Sequence, residues 1–113
     1  MSYDYLVCRA PPGSSHNLAF DEFEPVEPIG DLDEIKDAIS RVFPSVHWSQ
    51  HVTPLGIAWF GRGGPPEFQI TYEDGMPITN FMMSHASPEE VRLILRTMGL
   101  VAMDLQQEVV VGG

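Results

Sequence analysis

Apolar and polar positions alternate with period two from Glu67 to Glu73, with Phe68, Ile70 and Tyr72 on one side and Gln69, Thr71 and Glu73 on the other. Successive side chains of an extended chain point to opposite faces, so this pattern predicts a strand with one buried face. Asp74-Gly75 follows, and then Ile78 to Ser84 is apolar on both faces. Asp-Gly between apolar runs is a hairpin signal, and a doubly apolar run suits a central strand. Glu67–Ser84 is therefore expected to be a hairpin that holds the core.

The same reading extends in both directions. Tyr3, Tyr5 and Val7 alternate with Asp4, Leu6 and Cys8, which predicts a first strand over residues 3–9 that Pro11-Pro12-Gly13 ends. Val46–Val52 and Gly56–Phe60 read as two strands split by Thr53-Pro54, and Gly61–Pro66 as a loop. Leu100–Leu105 reads as a short strand, with Val109–Val111 as either its extension or a frayed end.

Two segments switch to helical spacing. Leu32, Ile35, Ala38, Ile39 and Val42 recur every three to four residues, behind Asp31 as cap and Glu34 at the capping-box position, and Pro44 ends the run. Val91, Ile94, Leu95 and Met98 repeat the spacing between Ser87-Pro88 with Glu90 and a closing Gly99. The order β, long loop, α, four strands, α, β predicts one α+β domain over residues 1–113. Its expected architecture is an antiparallel sheet of about five to six strands with two helices packed on one face. Residues 11–30 form a long, acidic connector whose prolines forbid a regular helix.

Charge narrows the partner. A net charge of −10, from 6 basic and 16 acidic residues, argues against nucleic acid and anionic membranes, which need clustered Lys and Arg. It suits a basic protein surface. Cys8 is the single cysteine, so no intrachain disulfide forms, and its place in an apolar strand predicts an inert buried thiol. No apolar run reaches the length of a membrane helix, and the N-terminus has no basic signal region, so a cytoplasmic protein is expected.

Candidate chemistry is sparse. His47 and His51 share one face of their strand and His85 could join them, yet no further Cys or acidic ligand stands at metal spacing, and no metal or cofactor is expected. Gly61-Arg62-Gly63-Gly64 leads into Pro65-Pro66 and a strand, which is a hairpin connection and not a phosphate loop. Ser14, Ser15 and His16 lie in no nucleophile-elbow pattern. No catalytic residue is assigned.

The strongest asymmetry is acidic. Asp21, Glu22, Glu24, Glu27, Asp31, Asp33, Glu34 and Asp37 supply 8 of the 16 carboxylates within 17 positions, opposed there by Lys36 alone. Interleaved with Phe23, they form the candidate partner-binding residues: a docking strip with carboxylates for steering and an aromatic anchor.

The opening Met1-Ser2-Tyr3-Asp4-Tyr5-Leu6-Val7, the strand Phe68-Gln69-Ile70-Thr71 and the ending Met98-Gly99-Leu100-Val101-Ala102-Met103-Asp104 resemble small acidic bacterial immunity proteins. Proteins of that kind accompany polymorphic toxins and type VI secretion effectors. The resemblance implies a non-enzymatic inhibitor that binds one cognate, basic toxin in the producing cell and occludes it. The alternative is a self-associating structural or regulatory domain without catalytic activity, which allows a homodimer.

Overall fold

The computed structural model describes residues 4–10 and 27–112. Seven strands and two helices follow in the order β1 (Asp4–Cys8), α1 (Leu32–Val42), β2 (His47–Thr53), β3 (Gly56–Arg62), β4 (Glu67–Tyr72), β5 (Asn80–Ser84), α2 (Pro88–Met98), β6 (Val101–Asp104) and β7 (Val109–Gly112). All strands join one sheet in the order β2-β3-β4-β5-β1-β6-β7. Every pairing is antiparallel. The expectation of an α+β domain holds, but the sheet has seven strands and not five or six. Residues 105–108 turn the chain, so Val109–Gly112 returns beside β6 as a strand of its own.

The expected Glu67–Ser84 hairpin forms, with a long connection. Asp74-Gly75 does turn, with the Met76 N–H donating to the Glu73 carbonyl at 3.0 Å. The connection nevertheless runs from residue 73 to 79, and β4 and β5 pair over only Glu67↔Ser84, Phe68↔Met83 and Gln69↔Met82. Pro77 cannot donate a ladder hydrogen bond. Ile78 turns instead to the incoming chain: its carbonyl accepts from the Ile29 N–H at 2.9 Å, and it bridges Gly30.

Cross-strand register decides the two faces. Trp48, Gly61, Phe68, Met83, Tyr5 and Asp104 stand opposite one another in turn across six strands. Of these, Tyr5, Phe68 and Met83 join Ile70, Phe81 and Val7, Ile35 and Ile39 of α1, and Val91, Ile94 and Leu95 of α2 in one core, with Trp48 packed against it. Both helices therefore cover the same face, as their apolar stripes predict. Gly61 is required in this row, because a Cβ there would stand 2.9 Å from Trp48 and Val46.

Each helix starts at a complete capping box. Ser87 Oγ accepts from the Glu90 N–H at 3.2 Å, and Glu90 Oε1 accepts from the Ser87 N–H at 2.9 Å. Two of the orphan donors of the first turn are satisfied in this way. Ser87→Ala should cost about 1 kcal/mol by urea denaturation, with the m-value unchanged. No loss would mean that water serves the cap equally well.

Candidate protein-binding surface

α1 carries the described part of the acidic strip. Asp33, Glu34 and Asp37 are exposed along the helix, and Asp31 stands exposed at its start. Two of these carboxylates have local structural roles. Asp31 Oδ1 accepts from the Glu34 N–H at 2.8 Å, and Glu34 Oε1 accepts from the Asp31 N–H at 3.4 Å. The Glu34 backbone N–H, followed by the Glu34 side chain, holds the Asp31 carboxyl below its ordinary value. Negative charge at a helix N-terminus also meets the positive end of the peptide dipoles.

Asp33 and Asp37 have no such role, and the cation between them is turned away. Lys36 Nζ sits 3.8 Å from the centroid of the Trp59 ring and 5.9 Å from that of Trp48. An ammonium over an indole face is attracted by the ring quadrupole, so Lys36 is held on the helix–sheet seam. The seam is closed by Trp48 Nε1, which donates to Ser40 Oγ at 3.2 Å, while Trp59 Nε1 is buried with no hydrogen-bond acceptor among the described residues. Among the described residues the one ion-pair contact is His85 with Glu67 at 3.9 Å, so the α1 carboxylates carry uncompensated charge.

Tertiary structure enlarges this surface beyond the strip. The Gly30–Ile78 bridge sets the start of α1 beside the 73–79 connection, and Arg9 Nε fastens the same approach by donating to the Pro28 carbonyl at 3.1 Å. Ile57 pairs with Tyr72, so the β2–β3 turn lies at this end as well. Glu27, Asp31, Asp33 and Glu34 thus share one end of the sheet with Glu73 and Asp74. A cleft of about 450 Å³ opens between the β2–β3 turn and Glu73-Asp74. Beside it project Leu55, 88% exposed, and Met76, 58% exposed.

Leu55 and Met76 were not among the sequence-derived candidates. One signal was available: Leu55 stands between Pro54 and Gly56, where turn chemistry favours small or polar residues. Asp21, Glu22, Phe23 and Glu24, together with most of the 11–30 connector, lie outside the described residues.

Other candidates are placed as follows. His47 and His51 share the helix-free face and are exposed; the His51 ring meets Phe60 edge-on at 4.9 Å. Among the described residues no three His, Cys, Asp or Glu side chains gather in metal-binding geometry. Cys8 is fully buried, and burial pushes its thiol up to about 12, so the thiolate needed for nucleophilic attack is scarce at neutral pH. No helix of the described residues is long and apolar enough to cross a membrane. Comparison with protein-family models, with curated proteins and with solved structures finds no match to this chain.

Proposed function

We propose that the protein is a non-catalytic binder of a basic bacterial protein, an immunity-type inhibitor that acts in the cytoplasm and neutralises a cognate toxin by occluding it. The observation that carries this reading is the mixed surface at the turn end of the sheet. There Asp33, Glu73 and Asp74 have no ionic partner among the described residues, and Leu55 and Met76 project beside them. Unpaired carboxylates steer a basic partner and raise its rate of encounter. Exposed apolar side chains framed by charge supply the contacts that lose water on docking.

The direct test is co-expression with the product of a toxin gene encoded beside this one. A stoichiometric complex and restored growth are the expected results, and a toxin that stays active and unbound would sink the reading. In the purified complex, the triple variant Asp33→Lys, Glu73→Lys, Asp74→Lys should slow association by about tenfold or more at low ionic strength. At high salt the difference should shrink, because screening already removes the long-range attraction. An unchanged on-rate in dilute buffer would place the docking surface elsewhere.

A further inference from the structure

Among the described residues β2 is an edge strand that nothing covers. Its seven residues, His47–Thr53, contain no Lys, Arg, Asp, Glu, Pro or Gly, and all but Trp48 are exposed. Sheet edges are normally protected by charge, proline, bulges or shortness, because their free N–H and C=O groups template pairing with another strand. The opposite edge, β7, is short at four residues. β2 has none of these protections, and its ladder to β3 is regular from His47↔Arg62 to Thr53↔Gly56.

Charge identifies what fits there. From Ala38 to Pro66 the chain holds no Asp or Glu, although its net charge is −10. Two copies repel one another over most of their surfaces, yet the β2–β3 hairpin can approach its own image without opposing carboxylates. We propose that β2 pairs antiparallel with β2 of a second copy about a two-fold axis at Gln50, joining the two sheets edge to edge. In that register Trp48 stands opposite the second copy's Val52, and His47 opposite its Thr53. Ser49 stands opposite its His51, and Gln50 opposite its own counterpart. On one face two Trp48–Val52 pairs flank the central Gln50 pair, on the other polar meets polar, and no like-charged carboxylates or Lys/Arg pairs face each other. Val52, 75% exposed in the single chain, gains a large aromatic neighbour. Alternation of the antiparallel ladder supplies about six to eight backbone hydrogen bonds across the seam. The pairing leaves α1 and the 73–79 connection outside it but shares Val52 and Thr53 with the wall of the cleft; it rests on the β2 edge and its charge, not on the toxin-binding reading.

The test has two arms on the full chain. Light scattering after size exclusion should give twice the chain mass of 12.6 kDa. The double variant Ser49→Lys, His51→Lys sets like charges opposite one another across the seam. It should return a single-chain mass that still unfolds in one cooperative step, with a midpoint that no longer rises with protein concentration, since both side chains are exposed on the helix-free face. In the second arm, Gln50→Cys should cross-link to its own counterpart on mild oxidation, because a directly opposed pair has Cα atoms about 4.5–5.5 Å apart, within disulfide reach. Ser49→Cys should cross-link at least tenfold more slowly. A single-chain mass at high concentration, or equal cross-linking at both positions, would overturn the proposal. So would a doubled mass that survives the lysines.

Discussion

Phe81→Ala should lower the unfolding free energy by about 3–5 kcal/mol, among the largest losses expected of any core truncation in this chain. Phe81 is 1% exposed and lies on β5, which has β4 on one side and β1 on the other. Its ring stands 6.4 Å from that of Phe68, whose other ring neighbours are Phe43 at 5.6 Å and Trp48 at 6.4 Å. Deleting it removes the transfer energy of a buried ring and opens a cavity beneath two helices that regular sheet pairing prevents from collapsing. A domain of this size has about 5–15 kcal/mol in total, so the variant should melt about 12–20 °C lower. Phe60→Ala is the control. Phe60 is half-buried on the helix-free face, flanked by His51 and by Arg62 at 5.2 Å, and its loss should cost well under half as much. Equal costs would show that the two faces do not differ in burial as the register requires.

Gly63→Ala should be nearly as damaging, although Gly63 is exposed and lies in a loop. A Cβ at this position would stand 2.0 Å from the Ser45 carbonyl oxygen and 2.8 Å from its carbon, and φ is +156°. The obstacle is backbone, which cannot rotate aside as a side chain would. Either the β3–β4 connection or the α1–β2 connection must shift, and the second leads directly into Val46 and Trp48. A cost of about 2–4 kcal/mol is expected, combining strained backbone with displaced packing. Gly64 provides the comparison: its φ is +102°, but nothing lies within 4 Å of an added Cβ. Gly64→Ala should therefore cost only the conformational part, about 1 kcal/mol. Paired urea titrations would decide, and equal losses would remove the close approach as the cause.

Where local and tertiary forces agreed, the chain was readable directly. Both capping boxes, the apolar stripes of α1 and α2 and the alternation of Phe68, Ile70 and Tyr72 depend on neighbours within a few residues. The buried thiol of Cys8 followed from its apolar strand in the same way. The hairpin around Asp74-Gly75 formed, but its connection is longer than the turn because Pro77 and the Gly30–Ile78 bridge, a contact 48 positions apart in the chain, hold residues 76–79 out of the ladder. β7 was ambiguous because three valines in a row show no alternation, and only pairing with β6 makes them a strand.

The candidate surface divides along the same line. Asp31, Asp33, Glu34 and Asp37 were legible as an acidic face because charge clustering within one helix needs only its 3.6-residue period. That Lys36 does not neutralise them was not legible. Its ammonium is held by Trp59, which reaches it through the fold of β3 beneath α1. Nor could composition bring Leu55, Met76, Glu73 and Asp74 to the end of the sheet where α1 begins.

By itself, the sequence determined most of the elements, the capped helix starts, the alternation of β1 and β4 and the acidic character of the chain. Each rests on spacing or charge within a short window. Tertiary structure alone decided the strand order, the seventh strand, the close approach at Gly63, the seating of Lys36 and the exposure of β2 as an edge. Those depend on which distant segments meet, and chain-local periodicity carries no information about that.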